Sequence, residues 1–390
     1  MTSHHFDRAV ISANEHWLYL DFWPLVAYAY RTVFPDVRVT LAFLSERLEY
    51  DPFVAQLRAH GEVVLVRPVR DIPQAAQAKM ARYFVASTMR DSVCMIDDID
   101  EIPIDRDWHV GKLAQRRPEA LLMVGAEVYG RDANQCPASM MTATGWTFRR
   151  LFNPTDRPFA EWIRTMSRPA RRHADIYSPS HHEGMDCTTA QDYLGTPLFS
   201  DEALIGELLR ECPDVPVQHV ERGYQPGVDT IDRSWWNALD MAKLEAGGYL
   251  AAHTGRPYLE CKAGNDAIVD YLRRRYGGGP LPEPLARRPQ VDADMRFDDG
   301  MTRATFEELC STLPLGALVM EVGSGHVTTN YLSRYFWLIS VEDRRNMLNI
   351  YPSHYIYAPG FDEAIIREGM MHRRIQQREP VQMWLDYRKQ

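Results

Sequence analysis

A chain of 390 residues, 45% hydrophobic and 25% charged, is long for one domain, comfortable for two, and able to bury a sizeable core. That balance excludes general disorder. The formal charge of −9 excludes a general nucleic-acid binder, which presents a basic surface, yet leaves room for a small basic site of the kind that holds a diphosphate.

Residues 1–8 lack the charged-then-apolar pattern of a signal peptide. The first apolar run, Trp17 to Tyr30, is interrupted by Asp21 and Pro24 and is too short to span a bilayer. The expectation is a cytoplasmic protein without a transmembrane segment. Arg8–Ala13 is predicted as a first strand and Leu18–Phe34 as a helix with Pro24 in its first turns, where proline is tolerated. A strand over Val37–Leu44, a helix over Asp51–His60 stopped by Gly61, and a strand over Glu62–Val66 follow. The spacing then predicts a helix over Gln74–Thr88, with Lys79 and Arg82 three apart on one side, and a fourth strand over Ser92–Ile96. Strands separated by helices imply an α/β fold with a mixed, mostly parallel sheet flanked by helices.

Two more strands are expected between Leu121 and Phe148, across the polar turn Gly130–Pro137. Arg164, Arg168, Arg171 and Arg172 make a basic stretch, read as a solvated loop, with peripheral contact to an anionic lipid surface left open. Ser178–Leu198 reads as a long irregular loop, and Asp201–Arg210, Trp235–Gly247 and Asp266–Tyr276 read as helices. The six cysteines lie tens of residues apart, without zinc-ligand spacing, and are expected as free, mostly buried thiols.

The chemistry concentrates after the fourth strand. Ligands of open parallel sheets bind beyond the carboxyl ends of the strands, and here the apolar strand runs directly into Asp97-Asp98-Ile99-Asp100. Carboxylates so close repel one another unless a cation sits between them. Hard oxygens two residues apart suit Mg²⁺ or Mn²⁺, and a metal so held would neutralise a nucleotide diphosphate as leaving group. The competing interpretation is an acidic turn that caps a following helix; the placement after the fourth strand argues against it.

The segments Ile11-Ser12-Ala13-Asn14, Tyr19-Leu20-Asp21-Phe22-Trp23-Pro24, Gln77-Ala78-Lys79-Met80-Ala81-Arg82 and Ile96-Asp97-Asp98-Ile99-Asp100, with Gly248 to Tyr258 later, resemble the GT-A class of nucleotide-sugar glycosyltransferases. More narrowly they resemble its bacterial and viral surface-polysaccharide group, over roughly residues 7–275. The resemblance implies a GT-A-like domain over residues 1–276, with Asp98 and Asp100 as the metal pair and Asp98 also near the donor. It implies that Ser12, Ala13 and Asn14 cradle the base and ribose, that Lys79 and Arg82 face the diphosphate and donor sugar, and that His253 completes the metal site. Asp201 and Glu202 resemble an acidic pair near the acceptor, where a carboxylate could deprotonate a hydroxyl. Ser200-Asp201-Glu202 is equally a good helix start. His181, His182 and Glu183 form a weaker cluster on the loop, and Cys136 to Gly145 matches the acceptor region loosely.

Residues 277–300, rich in Gly and Pro, read as a linker. Beyond it, over residues 301–390, a helix at Thr305–Thr312, strands at Leu318–Val322 and Trp337–Val341, a helix from Thr328 and a third strand at Tyr355–Tyr357 are expected, the remainder being helical. Met320-Glu321-Val322-Gly323-Ser324-Gly325 with Val341-Glu342 resembles the opening of class I methyltransferases that use S-adenosylmethionine. That implies a partial Rossmann-like unit, truncated or degenerate, with Glu342 on ribose hydroxyls and Glu321 at the first turn and without the half expected to carry the acceptor pocket.

The acidic loop and the resemblance together imply a metal-dependent hexosyltransferase-type enzyme using Mn²⁺ or Mg²⁺. It would move a sugar from a UDP- or GDP-sugar to a glycan or glycolipid acceptor in surface polysaccharide biosynthesis. The alternatives are an S-adenosylmethionine-dependent methyltransferase acting on a glycan, and a non-catalytic carbohydrate-binding protein on a transferase fold.

Overall fold

A computed structural model describes residues 6–69, 72, 74–125, 136–166, 201–222, 229–231, 239–255, 258, 261–285, 303–313, 317–322, 337–342, 354–357 and 383–386. Those up to 166 and from 201 to 285 belong to one compact unit, and those from 303 onward to a second.

The first unit opens with β1 (Arg8–Asn14), α1 (Trp17–Leu20), α2 (Trp23–Val33), β2 (Arg38–Leu44), α3 (Pro52–Arg58), β3 (Glu62–Val66), α4 (Gln74–Thr88) and β4 (Val93–Ile96). It continues through β5 (Glu101–Pro103), α5 (Arg106–Leu113), β6 (Leu121–Val124), β7 (Met141–Thr144), α6 (Gly145–Phe152) and α7 (Phe159–Met166). After the undescribed stretch come α8 (Asp201–Glu211), β8 (Val217–Val220), β9 (Asp229–Ile231), α9 (Met241–Glu245), β10 (Tyr249–His253) and α10 (Lys262–Tyr276).

Seven strands form one sheet in the order β3-β2-β1-β4-β7-β6-β8. Only β7 runs against its neighbours, pairing antiparallel with β4 and β6, so the sheet is mixed and mostly parallel, as expected. Alternation along β1 feeds two cores: Ala9, Ile11 and Ala13 pack with α2 and α10 on one face, and Val10 with α4, α6 and α7 on the other. Helices therefore cover both faces.

Two expectations for the first unit need correction. The helix predicted over Leu18–Phe34 is two helices, α1 and α2. Proline cannot donate to the preceding turn and its ring clashes there, so the helix restarts at Trp23 and Pro24 sits in the first turn, where that donor would have no partner anyway. The strand expected to reach Phe148 stops at Thr144, whose hydroxyl accepts the Thr147 N–H at 3.1 Å and caps α6. The β-forming run of Thr, Trp and Phe hides this cap from a propensity argument.

A smaller sheet, β5-β10-β9, lies beside the main one. Its antiparallel register sets His253 opposite Glu101, and the Thr254 N–H donates to the Asp100 carbonyl at 2.7 Å. That pairing carries a distant histidine to the acidic loop.

In the second unit, α11 (Arg303–Thr312) precedes β11 (Leu318–Val322), β12 (Trp337–Glu342), β13 (His354–Tyr357) and β14 (Met383–Asp386). The four strands are all parallel, in the order β13-β12-β11-β14. β14 corrects the helical expectation for the chain's end; a four-residue apolar run carries no decisive period. Gly323–Gly325, the helix from Thr328, residues 286–300 of the linker and the part of Trp235–Gly247 before Leu239 lie outside the described residues.

Candidate active site

β4 ends at Ile96 inside the sheet, and the Asp97 N–H still reaches the Val10 carbonyl at 3.3 Å. The chain then turns, with the Glu101 N–H on the Asp98 carbonyl at 3.2 Å. The turn separates the three aspartates. Asp98 and Asp100 gather with His253, their ligand atoms all within 4.8 Å of one another. His253 Nε2 lies 3.5 Å from Asp100 Oδ1 and 4.0 Å from Asp98 Oδ2. A six-coordinate cation bonded at about 2.1 Å sets neighbouring ligands roughly 3 Å apart and opposite ones roughly 4 Å apart. Small side-chain rotations meet that requirement, and two carboxylates with one imidazole suit Mn²⁺ or Mg²⁺.

Asp97 does not share this cluster. Its carboxylate accepts the Tyr30 hydroxyl proton in the core. Burial first, and then the nearby Glu101 carboxylate, push its pKa well above its ordinary value, against the opposing hydrogen bond from Tyr30.

Arg82 ties the site together. It is 3% exposed, so it is not part of a solvated helix face. Its Nη1 donates to the Asp97 carbonyl at 2.8 Å and to Asp98 Oδ1, while Nη2 donates to Asp201 Oδ2 at 2.8 Å. Asp98 thus offers one oxygen to the guanidinium and turns the other toward His253. Lys79, one turn earlier on α4, is half-exposed, and its Nζ lies 3.9 Å from Asp201 Oδ1.

Asp201 starts α8 and is buried; the Tyr83 hydroxyl is 3.4 Å from its Oδ2. Burial alone would raise its pKa, but the Lys79 and Arg82 cations hold it below the usual carboxylate range. Such a carboxylate is a poor proton acceptor and a good anchor for two cations. Glu202 is half-buried, and its carbonyl accepts the Cys136 N–H at 3.2 Å. The Cys136–Gly145 region therefore meets the start of α8.

At the end of β1, Ser12 is half-buried while Ala13 and Asn14 are buried. The Asn14 side chain accepts the His16 N–H at 3.1 Å, which turns the chain away from the sheet edge. Sequence reasoning missed the neighbouring network in which buried Glu15 accepts the Ser45 hydroxyl at 2.6 Å and Nε and Nη2 of Arg47, both at 3.0 Å. Arg47 also pairs with Asp51 at 3.1 Å. Only that last pair, four residues apart, has a spacing that a sequence can signal. His181, His182, Glu183, Arg168, Arg171 and Arg172 lie outside the described residues.

No protein-family model matches the chain, and no curated protein matches its sequence. Among solved structures, it is similar to the galactosyltransferase LgtC in complex with donor and acceptor sugar analogues, at 13% identity and a TM-score of 0.39, covering 70% of this chain and 97% of that one. It is also similar to the glycosyltransferase GlyE of Streptococcus pneumoniae TIGR4, at 11% identity and a TM-score of 0.39, over 93% and 82% of the two chains. Glucosyl-3-phosphoglycerate synthase from Mycobacterium tuberculosis, in complex with Mn²⁺, uridine diphosphate and phosphoglyceric acid, matches at 14% identity and a TM-score of 0.30, over 70% and 80%. These likenesses are distant.

Proposed function

We propose that the chain is a GT-A-type, divalent-metal-dependent glycosyltransferase that moves a sugar from a nucleotide-diphosphate sugar to a glycan acceptor. The observation that carries this reading is the convergence of Asp98, Asp100 and His253 at the carboxyl edge of the sheet, beside the Arg82–Asp201–Lys79 array.

Asp98, Asp100 and His253 would hold Mn²⁺ or Mg²⁺. Bound there, the ion would offset the diphosphate charge and stabilise it as leaving group. The chain's own residues do the rest. Lys79 supplies a half-exposed cation near the phosphates or the donor sugar. Arg82 fixes the rotamer of Asp98 through one nitrogen and anchors Asp201 through another. Asp201 keeps both cations in place, a positioning role that its low pKa suits better than proton abstraction. Glu202, next on α8, remains the carboxylate proposed to take the acceptor hydroxyl proton. Ser12 to Asn14 form the strand end over which the nucleoside would lie. A UDP- or GDP-sugar as donor, and surface polysaccharide or a glycolipid as acceptor, complete the proposal.

Among the described residues no helix is long and apolar enough to cross a membrane. The reading is tested by assaying release of UDP or GDP from a panel of nucleotide-sugars in Mn²⁺ buffer. Asp100→Ala should abolish turnover while leaving the circular dichroism spectrum unchanged, and undiminished turnover in that variant removes the assigned metal role.

A further inference from the structure

The histidine of the acidic cluster is not held by its own strand alone. His253 closes β10, and the chain turns at once through Thr254 and Gly255, both buried. The Thr254 N–H donates to the Asp100 carbonyl at 2.7 Å, so one bond joins the residue after His253 to the backbone of Asp100. The register with β5 ends with His253 opposite Glu101 and gives the turn no further restraint. The next hold on it comes from α10.

Asn265, near the start of α10, is fully buried, and its Nδ2 donates to the Gly255 carbonyl at 3.1 Å. Its own N–H bonds the Cys261 carbonyl at 3.0 Å, so the side chain is what reaches the turn. The helix behind it is firmly seated, with Ile268, Val269 and Leu272 buried in the core that also takes in α2. Beside Asn265, the Asp266 carboxylate accepts the Tyr258 hydroxyl at 3.1 Å, which ties a later point of the same connection to the same helix. Asn265 Oδ1 and Thr254 Oγ1 are both buried and meet no hydrogen-bond partner among the described residues. A buried amide that leaves its oxygen unpaired costs stability. The bond to Gly255 is therefore the one property that a leucine of about the same size could not supply.

We infer that Asn265 is a positioning residue for the metal centre: by holding the Gly255 carbonyl it fixes the Thr254–Gly255 turn and, through it, the mutual reach of His253 and Asp100. The inference rests on the reading of Asp98, Asp100 and His253 as ligands of a divalent ion. Such an ion, bonded at about 2.1 Å, tolerates little displacement of its ligands, and site residues must be held to within about 0.5 Å. His253 Nε2 and Asp100 Oδ1 stand 3.5 Å apart on segments that the Thr254 N–H joins. Freeing the turn broadens that separation, and loss of a supporting bond behind a metal ligand lowers metal affinity roughly ten- to a hundredfold. Asn265 itself touches neither ion nor substrate; it acts through the backbone.

Electron paramagnetic resonance of Mn²⁺ titrated into the full chain, which counts the free aqua ion, tests this without any turnover. The parent chain should bind Mn²⁺, and Asp100→Ala should remove that binding. Asn265→Leu should weaken Mn²⁺ about tenfold or more with little change in Tm, because it removes an unpaired oxygen along with the bond. Val269→Ala, a core truncation on the same helix, should lower Tm and leave Mn²⁺ affinity as in the parent. Should Asn265→Leu not fold, Asn265→Ala carries the test. Unchanged Mn²⁺ affinity in a folded Asn265 variant, or a loss matched by Val269→Ala, overturns the inference and leaves the metal reading standing. Mn²⁺ binding that survives Asp100→Ala, or no binding by the parent chain, overturns the metal reading and the inference with it.

Discussion

His109 should make the fold acid-sensitive in a way that a single substitution can isolate. It sits on α5 at 1% exposure, edge-on to Trp108 at 4.8 Å and to Phe34 at 5.8 Å. Burial pushes its imidazole from 6.5 down to about 4, against the opposing pull of the Asp105 carboxylate. Above pH 6.5 the ring is neutral in folded and unfolded chains alike, and its contribution to stability is complete. As the pH falls, the unfolded chain takes up the proton first, so stability is lost progressively toward pH 4. Linkage with these two values gives a loss of roughly 2 kcal/mol between pH 7 and pH 5. His109→Phe keeps an aromatic ring against Trp108 and Phe34 but cannot titrate. Urea unfolding at both pH values, followed by tryptophan fluorescence, should show the variant losing about 2 kcal/mol less than the parent chain over that interval. Equal losses in the two proteins would refute the burial argument.

Other predictions concern packing and the site. A Cβ built on Gly145 would lie 2.0 Å from the Met89 carbonyl oxygen, so Gly145→Ala should destabilise by about 1–3 kcal/mol or more as the backbone shifts, read as a lowered Tm. Arg82→Met leaves the buried Asp201 carboxylate without its closest cation and should cost about 3–5 kcal/mol. In denaturant titrations that loss should shrink when Asp201→Asn is added, and strict additivity would contradict the pairing. Arg47→Met should remove the guanidinium bonded to Glu15, a carboxylate 5% exposed, with a loss of Tm by the same physics. Lys79→Ala, at a half-exposed position, should leave Tm nearly unchanged while weakening nucleotide-sugar binding, which separates its proposed role from a structural one.

The sheet was legible because its strands are nearly continuous apolar runs punctuated by Gly61, Asn14 and the acidic loop. β1 to β4 fall within a residue or so of their predicted limits. The position of Asp98 and Asp100 at a strand's carboxyl end followed from that count alone. What a linear reading could not supply is pairing between distant segments. Nothing near His253 announces that β10 aligns antiparallel to β5 and sets it against Asp100. Likewise, the spacing of Lys79 and Arg82 was visible, but not that α8 would set Asp201 against both. A helix-start pattern and an ion-pair partner are the same letters in sequence, and only tertiary packing makes Asp201 both. Asp97 was also grouped with its neighbours by sequence, whereas the turn at Asp98 sends it into the core against Tyr30.

In the proposed function, Asp98 and Asp100 on the turn after β4 and His253 at the end of β10 create affinity for a nucleoside diphosphate only through a divalent ion. Calorimetric titration of UDP and GDP into the full chain, first in Mn²⁺ and then in EDTA, tests it directly. At least one of the two should bind saturably with Mn²⁺ and lose most of its affinity in EDTA, and His253→Ala should reproduce much of that loss. Equal affinity with and without the metal would contradict the account.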